Sequence, residues 1–143
     1  MTPAALTRLP NWRSRLEAVM DDIRLRPFEW HTHDCGRGLA ARVVMAVTGV
    51  DIGAQYDGEY HDAASAARLI RSHGFASLGD LVASLLPAVH PSQAQLGDIA
   101  AIRMDGPIGH ALGVVNGERI LVLMDIGYGT VDLLDAEVCF KVG

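Results

Sequence analysis

GDIAAIRMDGPIGHALGVVNGERILVLM, residues 97–124, is the stretch whose reading decides the fold. Gly97-Asp98 opens a β-rich run, Ile99 to Met104, and Asp105-Gly-Pro-Ile-Gly109 has turn composition. His110 to Val115 reads as the next strand. Asn116-Gly117 is the strongest two-residue hairpin signal in the chain, because its backbone twist matches that of flanking strands. Arg119 to Met124 must then return antiparallel. Beyond it, a Gly127-Tyr-Gly129 turn leads to short strands near Thr130–Leu134 and Val138–Val142.

Working back toward the N-terminus, the texture is helical. Asn11 stands where an N-cap is wanted, before a helix over Trp12–Arg24. Trp12, Leu16, Val19, Met20 and Ile23 share one face of it at helical spacing. Pro27 stops it, since proline breaks the ladder and disfavours helix one residue earlier. Phe28 to Asp34 reads as a short extended piece. A second helix is expected from Cys35 or Gly36 to Val47, with Leu39, Val43, Val44 and Val47 as its apolar stripe and Gly49 as its left-handed cap. Asp51 to His61 is polar and glycine-containing, hence a loop. Asp62 caps a helix over Ala63–Arg71, and Ser77 caps another through Leu86. Helices first and a meander of strands after them is the α+β pattern, in one domain spanning residues 1–143.

Composition excludes several classes. Half the residues are hydrophobic and 20% are charged, which rules out a disordered chain. No apolar run reaches the roughly 18 residues of a membrane helix. Met1 to Pro10 lacks the apolar core of a signal peptide, so a cytoplasmic origin, or export without a leader, is expected. A net charge of −5 argues against a general nucleic-acid binder. Seven of the 11 arginines fall between Arg8 and Arg42, spaced as on solvated helix faces. There is no phosphate-binding glycine loop and no Gly-x-Ser-x-Gly elbow.

Cys35 stands where a helix begins. Unpaired N–H groups and partial positive charge there favour thiolate, so it is a candidate nucleophile, against the alternative of a small buried residue. His110, at a strand start 75 residues on, is a candidate base, or a polar residue flanking the turn. An orienting third residue is harder to find, because the return strand Ile120-Leu-Val-Leu-Met124 is wholly apolar. Asp125, just after it, is the candidate. His31 and His33 point the same way on an extended segment, and with Asp34 and Cys35 admit a metal reading, but no second ligand pair stands at a typical spacing. No cofactor and no metal is expected. Cys139 reads as core.

Trp12, Pro27-Phe-Glu-Trp30, His33-Asp34-Cys35, Thr48-Gly-Val-Asp51, Gly58-Glu-Tyr60, Gly97-Asp98 and Ala111-Leu-Gly-Val-Val115 occur in that order. In this the chain resembles an uncharacterised group of small proteins of tailed phages and prophages, related to the NlpC-type branch of papain-like cysteine peptidases. The resemblance runs from about Leu9 to Val142, and the Phe-x-Trp…His-Asp-Cys segment is its specific part. It implies a papain-like α+β fold with N-terminal helices packed on an antiparallel sheet. It implies a virion component at the tail tip, made in the bacterial cytoplasm, with other tail-tip or hub proteins as partners. The NlpC-type enzymes cut peptide crosslinks of peptidoglycan.

The sequence departs from the enzyme pattern at three places. Gly36-Arg37-Gly38 follows the cysteine where the enzymes have Ser-Gly. The position two residues before the strand glycine, Gly113, is Ala111 rather than histidine, and His110 is one step early, which in a strand changes the face. The return strand has no orienting polar residue. The expectation is a weakly catalytic or non-catalytic tail component. The alternative is an active cysteine endopeptidase cleaving peptidoglycan crosslinks during phage entry, with Cys35 as nucleophile, His110 as base, Asp125 orienting it and the Cys35 N–H in an oxyanion hole.

Overall fold

The computed structural model describes residues 6–56 and 58–143, so the leader reading of residues 1–5 lies outside the described part. Four α-helices precede a six-stranded sheet: α1 (Trp12–Leu25), α2 (Ala41–Thr48), α3 (Ala63–Ser72) and α4 (Leu78–Ala83), then β1 (Ala88–Val89), β2 (Ile99–Arg103), β3 (His110–Asn116), β4 (Arg119–Met124), β5 (Gly127–Asp132) and β6 (Val138–Phe140). The strand order is β1-β6-β2-β3-β4-β5, and every neighbouring pair is antiparallel. The expected α+β architecture is therefore present. Among the described residues no helix is long and apolar enough to cross a membrane.

Strand alternation sorts the core into two layers. Ile99, Ala101, Leu112, Val114, Leu121 and Leu123 face the helices, where Leu16, Ile23, Leu39, Val43 and Val47 meet them. Ala100, Val115, Ile120, Val122 and Cys139 face the other way, under the segment that carries Leu133 and Ala136. Burying a side chain the size of Ile23 or Leu39 stabilises the fold by about 1.5–3 kcal/mol.

Local chemistry explains the caps. Asp62 and Ser65 form a reciprocal capping box on α3, and the Ser77 hydroxyl accepts from the Asp80 N–H on α4. Gly49 ends α2 at φ 78°. Other expectations need correction. Asn11 makes no side-chain cap on α1; only its carbonyl is used, by Ser14 and Arg15. Gly127 and Gly129 belong to β5, and the turn is Asp125-Ile126. The last helix ends at Ala83 rather than Leu86. Ala88–Val89 adds an edge strand that the sequence did not announce.

Two differences shape the cysteine region. Phe28–Asp34 is not extended. It is a tight reversal in which Glu29 and His33 exchange backbone hydrogen bonds (2.9 and 2.8 Å) around His31, which stands at φ 77°. The helix after it does not begin as α-helix either. Cys35–Ala40 is a π-helical turn, in which the Ala41 N–H reaches back five residues to the Gly36 carbonyl, and only then does α2 start. Such wide turns sit inside helices mostly where a site is built.

Gly38 lets this turn lie against the preceding reversal. A Cβ there would stand 2.6 Å from the His33 Cα and 2.8 Å from its carbonyl carbon. Backbone cannot swing aside as a side chain does, so Gly38→Ala should cost about 1–3 kcal/mol, a fall of several degrees in Tm. Gly36→Ala, whose Cβ would meet only Asp34 Oδ1 at 3.7 Å, is the control and should cost less. Equal melting temperatures for the two variants would refute the close packing.

Candidate functional site

The site grows from the Asp34 carboxylate, which is 3% exposed. It accepts from the N–H groups of Gly36 (3.1 Å) and Arg37 (2.8 Å), so it caps the π-turn. It also accepts from the His31 N–H at 3.0 Å and from the Tyr60 hydroxyl. One buried carboxylate thus ties the reversal, the cysteine turn and the segment around Tyr60 together. Burial and the neighbouring Asp34 charge raise the Tyr60 hydroxyl well above the usual phenol range, so it stays a donor. Arg37 completes the tie by donating to the carbonyls of Tyr56 (3.2 Å) and Gly58 (3.0 Å), with its guanidinium 5.5 Å from the centre of the Tyr60 ring.

Cys35 starts the turn and lines a cleft of about 130 Å³. The cleft runs between the cysteine turn, α3, α4 and β3, and Leu112 forms its wall on the sheet side. Cys35 keeps partial exposure, yet burial dominates its chemistry and pushes the thiol up to about 12. The Leu112 backbone N–H acts in the opposite direction, and the Asp34 charge adds to the rise. A helix start is expected to favour thiolate. Here burial and the carboxylate that caps the turn outweigh it.

A raised thiol has a consequence for stability. The unfolded thiol ionises near pH 8.5, roughly, and the folded one far higher, so its contribution is fully present below that value and is lost as pH rises toward the folded pKa. Cys139, pushed up to about 11 by burial and the Asp98 charge, acts with the same sign. Urea midpoints should therefore fall on going from about pH 8 to about pH 10.5, and fall less in Cys35→Ala. An equal fall in both proteins would show that Cys35 is not the group responsible.

Among the described residues His110 makes no hydrogen bond to the thiol. The sequence register placed it on the face away from Cys35, but strand parity is the reverse: Leu112 and Val114 face the helices, and His110 shares their side. Gly113 shows why. A Cβ on it would run into Ile120 and Val122 on the opposite face. The thiol lies against the Leu112 backbone N–H, and His110 is two residues before Leu112 on the same strand face. Leu78 and Ile108 are among the residues that line the cleft, and His110 is not. Its ring lies instead on Gly79, where any Cβ would come within 2.6 Å of Nδ1. Neither ring nitrogen makes a hydrogen bond among the described residues.

The carboxylate facing His110 is that of Glu137, with Oε1 3.5 Å from Nε2. Burial raises the Glu137 carboxyl, but Arg103, whose Nε donates to Oε2 at 2.7 Å, and His110 outweigh it and hold it below its usual value. Asp125 is exposed in the turn after β4. Glu137 was missed because it arrives through a non-local pairing, β6 on β2, which no spacing in the sequence announces. His31 and His33 go separate ways: their Nε2 atoms pair with the carbonyls of Gly58 and Ile23, both at 3.1 Å.

Fold and site together define a class: an α+β domain in which a cysteine opens a helix packed on an antiparallel sheet and lines an apolar cleft. Over residues 7–142 the chain matches the family described as a domain of unknown function, DUF6950, and it belongs to that family. No curated protein and no solved structure matches it.

Proposed function

We propose that this chain is a tail-tip or tail-assembly component of a tailed phage, one that keeps an NlpC-type, papain-like fold while its peptidase chemistry is weak or absent. The observation that carries the second half is the setting of the thiol. Cys35 faces the Leu112 backbone in an apolar cleft, with its pKa pushed up to about 12 and no hydrogen bond from the sheet histidine His110 among the described residues. Among the described residues no imidazole hydrogen-bonds this thiol, so none is engaged as a base for its proton or as an acid for a leaving amine. Helices followed by an antiparallel sheet, with a cysteine at a helix start, support the NlpC-type assignment. The tail placement rests on the sequence resemblance, and the net charge of −5 favours protein partners over nucleic acid.

One observation favours the alternative, an active peptidoglycan endopeptidase. His110 and Glu137 form a histidine–carboxylate pair on the helix-facing side of β3, so a shift of one repeat would bring an oriented imidazole to the thiol. Purified chain incubated with bacterial peptidoglycan separates the two readings. The expected release of peptides is no faster than that by Cys35→Ala, and tails carrying Cys35→Ala assemble and infect normally. Robust cleavage lost in both Cys35→Ala and His110→Ala would install the peptidase reading. Tails that assemble and infect without the chain would remove the tail reading.

A further inference from the structure

We infer that the Cys35 cleft is a binding pocket for a small uncharged hydrocarbon group of about the size of one aromatic ring. This goes beyond the tail reading and does not depend on it. The argument starts from volume. The cleft holds about 130 Å³, close to the roughly 150 Å³ of an apolar cavity that stays dry and takes up benzene. Small residues, Ala40, Ala41 and Ala66, take part in its lining together with Leu81, Val82 and Leu112, which leaves room in it. Native interiors otherwise leave few voids of this size.

The chemistry of the walls sets the ligand class. Asp34, Arg37 and the Tyr56 hydroxyl, polar groups that line the cleft, already have partners in the chain. Asp34 accepts four hydrogen bonds, from His31, Gly36, Arg37 and Tyr60. Arg37 donates to the Tyr56 and Gly58 carbonyls, and the Tyr56 hydroxyl pairs with Ser84 at 3.1 Å. The thiol is held neutral by its burial. A charged or strongly polar guest would have to break these bonds and lose its own hydration, whereas a hydrocarbon guest needs neither. The rings of Trp30, Tyr56 and Tyr60 in the lining give an aromatic guest edge-to-face partners as well.

Toluene and benzoate, two single-ring probes that differ chiefly in charge, test the proposal on the full chain. The readout is the rate at which iodoacetamide alkylates Cys35, followed by mass spectrometry, with side-chain methyl NMR of Leu112 and Val82 as a direct measure of binding. Saturating toluene should slow alkylation at least fivefold and shift those methyl resonances saturably, and benzoate should do neither. Ala66→Leu and Ala41→Leu fill the pocket from two different helices, α3 and α2. Either one that keeps the far-UV spectrum of the parent should abolish the protection. If toluene neither protects nor shifts the wild-type protein, the inference fails. It fails equally if benzoate protects as well as toluene does, or if protection survives in a folded filled variant. Peptidoglycan cleavage by the wild-type protein would overturn the function proposed above and leave this result standing.

Discussion

Asp98→Ala should lower the stability of this domain by about 3–5 kcal/mol and its Tm by roughly 10–20 °C, the largest effect of any single substitution considered. Asp98 is 2% exposed. Its Oδ1 accepts from Arg8 Nη2 and from the Val142 N–H, both at 3.0 Å, and its Oδ2 accepts from the Gln95 N–H at 2.9 Å. Arg8, whose side chain is 13% exposed, also donates to the carbonyls of Val142 (2.8 Å) and Leu96 (2.7 Å) and lies 4.2 Å from the Trp12 ring centre. The pair therefore clamps the chain before α1, the start of β2 and the segment after β6 to one another.

Removing the carboxylate leaves a largely buried guanidinium without its counter-charge and two backbone donors without acceptors. The cost of an orphaned buried charge exceeds that of a missing contact. Arg8→Met should be milder, because Asp98 keeps two backbone donors. The double variant Arg8→Met/Asp98→Ala should lose less than the sum of the singles, since no charge is then stranded. Chemical denaturation of the four proteins measures this. A loss below about 1 kcal/mol for Asp98→Ala would mean that water reaches the site and the clamp is not closed.

Gly97-Asp98 reads in the sequence as no more than the opening of a strand, and the reason is general. Strand existence is a local property. Ile99–Met124 shows it through short apolar runs and the Asn116-Gly117 turn, so the hairpin was legible. The caps at Asp62 and Ser77 were legible for the same reason, each bonding three residues ahead. Besides the nearby Gln95 N–H, the partners of Asp98 lie 90 residues back at Arg8 and 44 ahead at Val142, and no local pattern encodes those two.

The site divides along the same line. Cys35 at a helix start was legible from Asp34-Cys35 and the glycines that follow. The width of the first turn was not, because Gly38 is required by contact with His33, on a neighbouring reversal whose φ 77° residue is a histidine rather than a glycine. The face of His110 was read one step out because the motif was counted from Gly113, and that glycine packs away from the helices, against Ile120 and Val122. Glu137 had no local signal at all.

Cys35 should react with iodoacetamide far more slowly than an ordinary thiol, and one substitution on β3 should change that. With the thiol at about 12 against roughly 8.5 for a free cysteine, the thiolate fraction near pH 8 is lower by on the order of 10³. The more basic thiolate is more nucleophilic, which returns about 30- to 40-fold. The net expectation is alkylation about 50-fold slower than that of a free cysteine, with a rate that keeps climbing beyond about pH 10 instead of levelling off. A rate within about threefold of free cysteine near pH 8 would show that the cleft does not hold the thiol neutral. Leu112, 1% exposed, is the strand residue whose backbone N–H faces the sulfur. Leu112→His places an imidazole on that residue, and a cation beside a thiol favours thiolate. That variant should alkylate at least about tenfold faster than wild type near pH 8, despite a stability loss of about 2–4 kcal/mol from the buried leucine. Leu112→Gln loosens the cleft without supplying a charge and separates the two effects. If glutamine accelerates the reaction as much as histidine does, solvent access controls the thiol. If only histidine does, a histidine at position 112 is what this cleft lacks as a peptidase site, and His110, one repeat away on the same face, does not supply it.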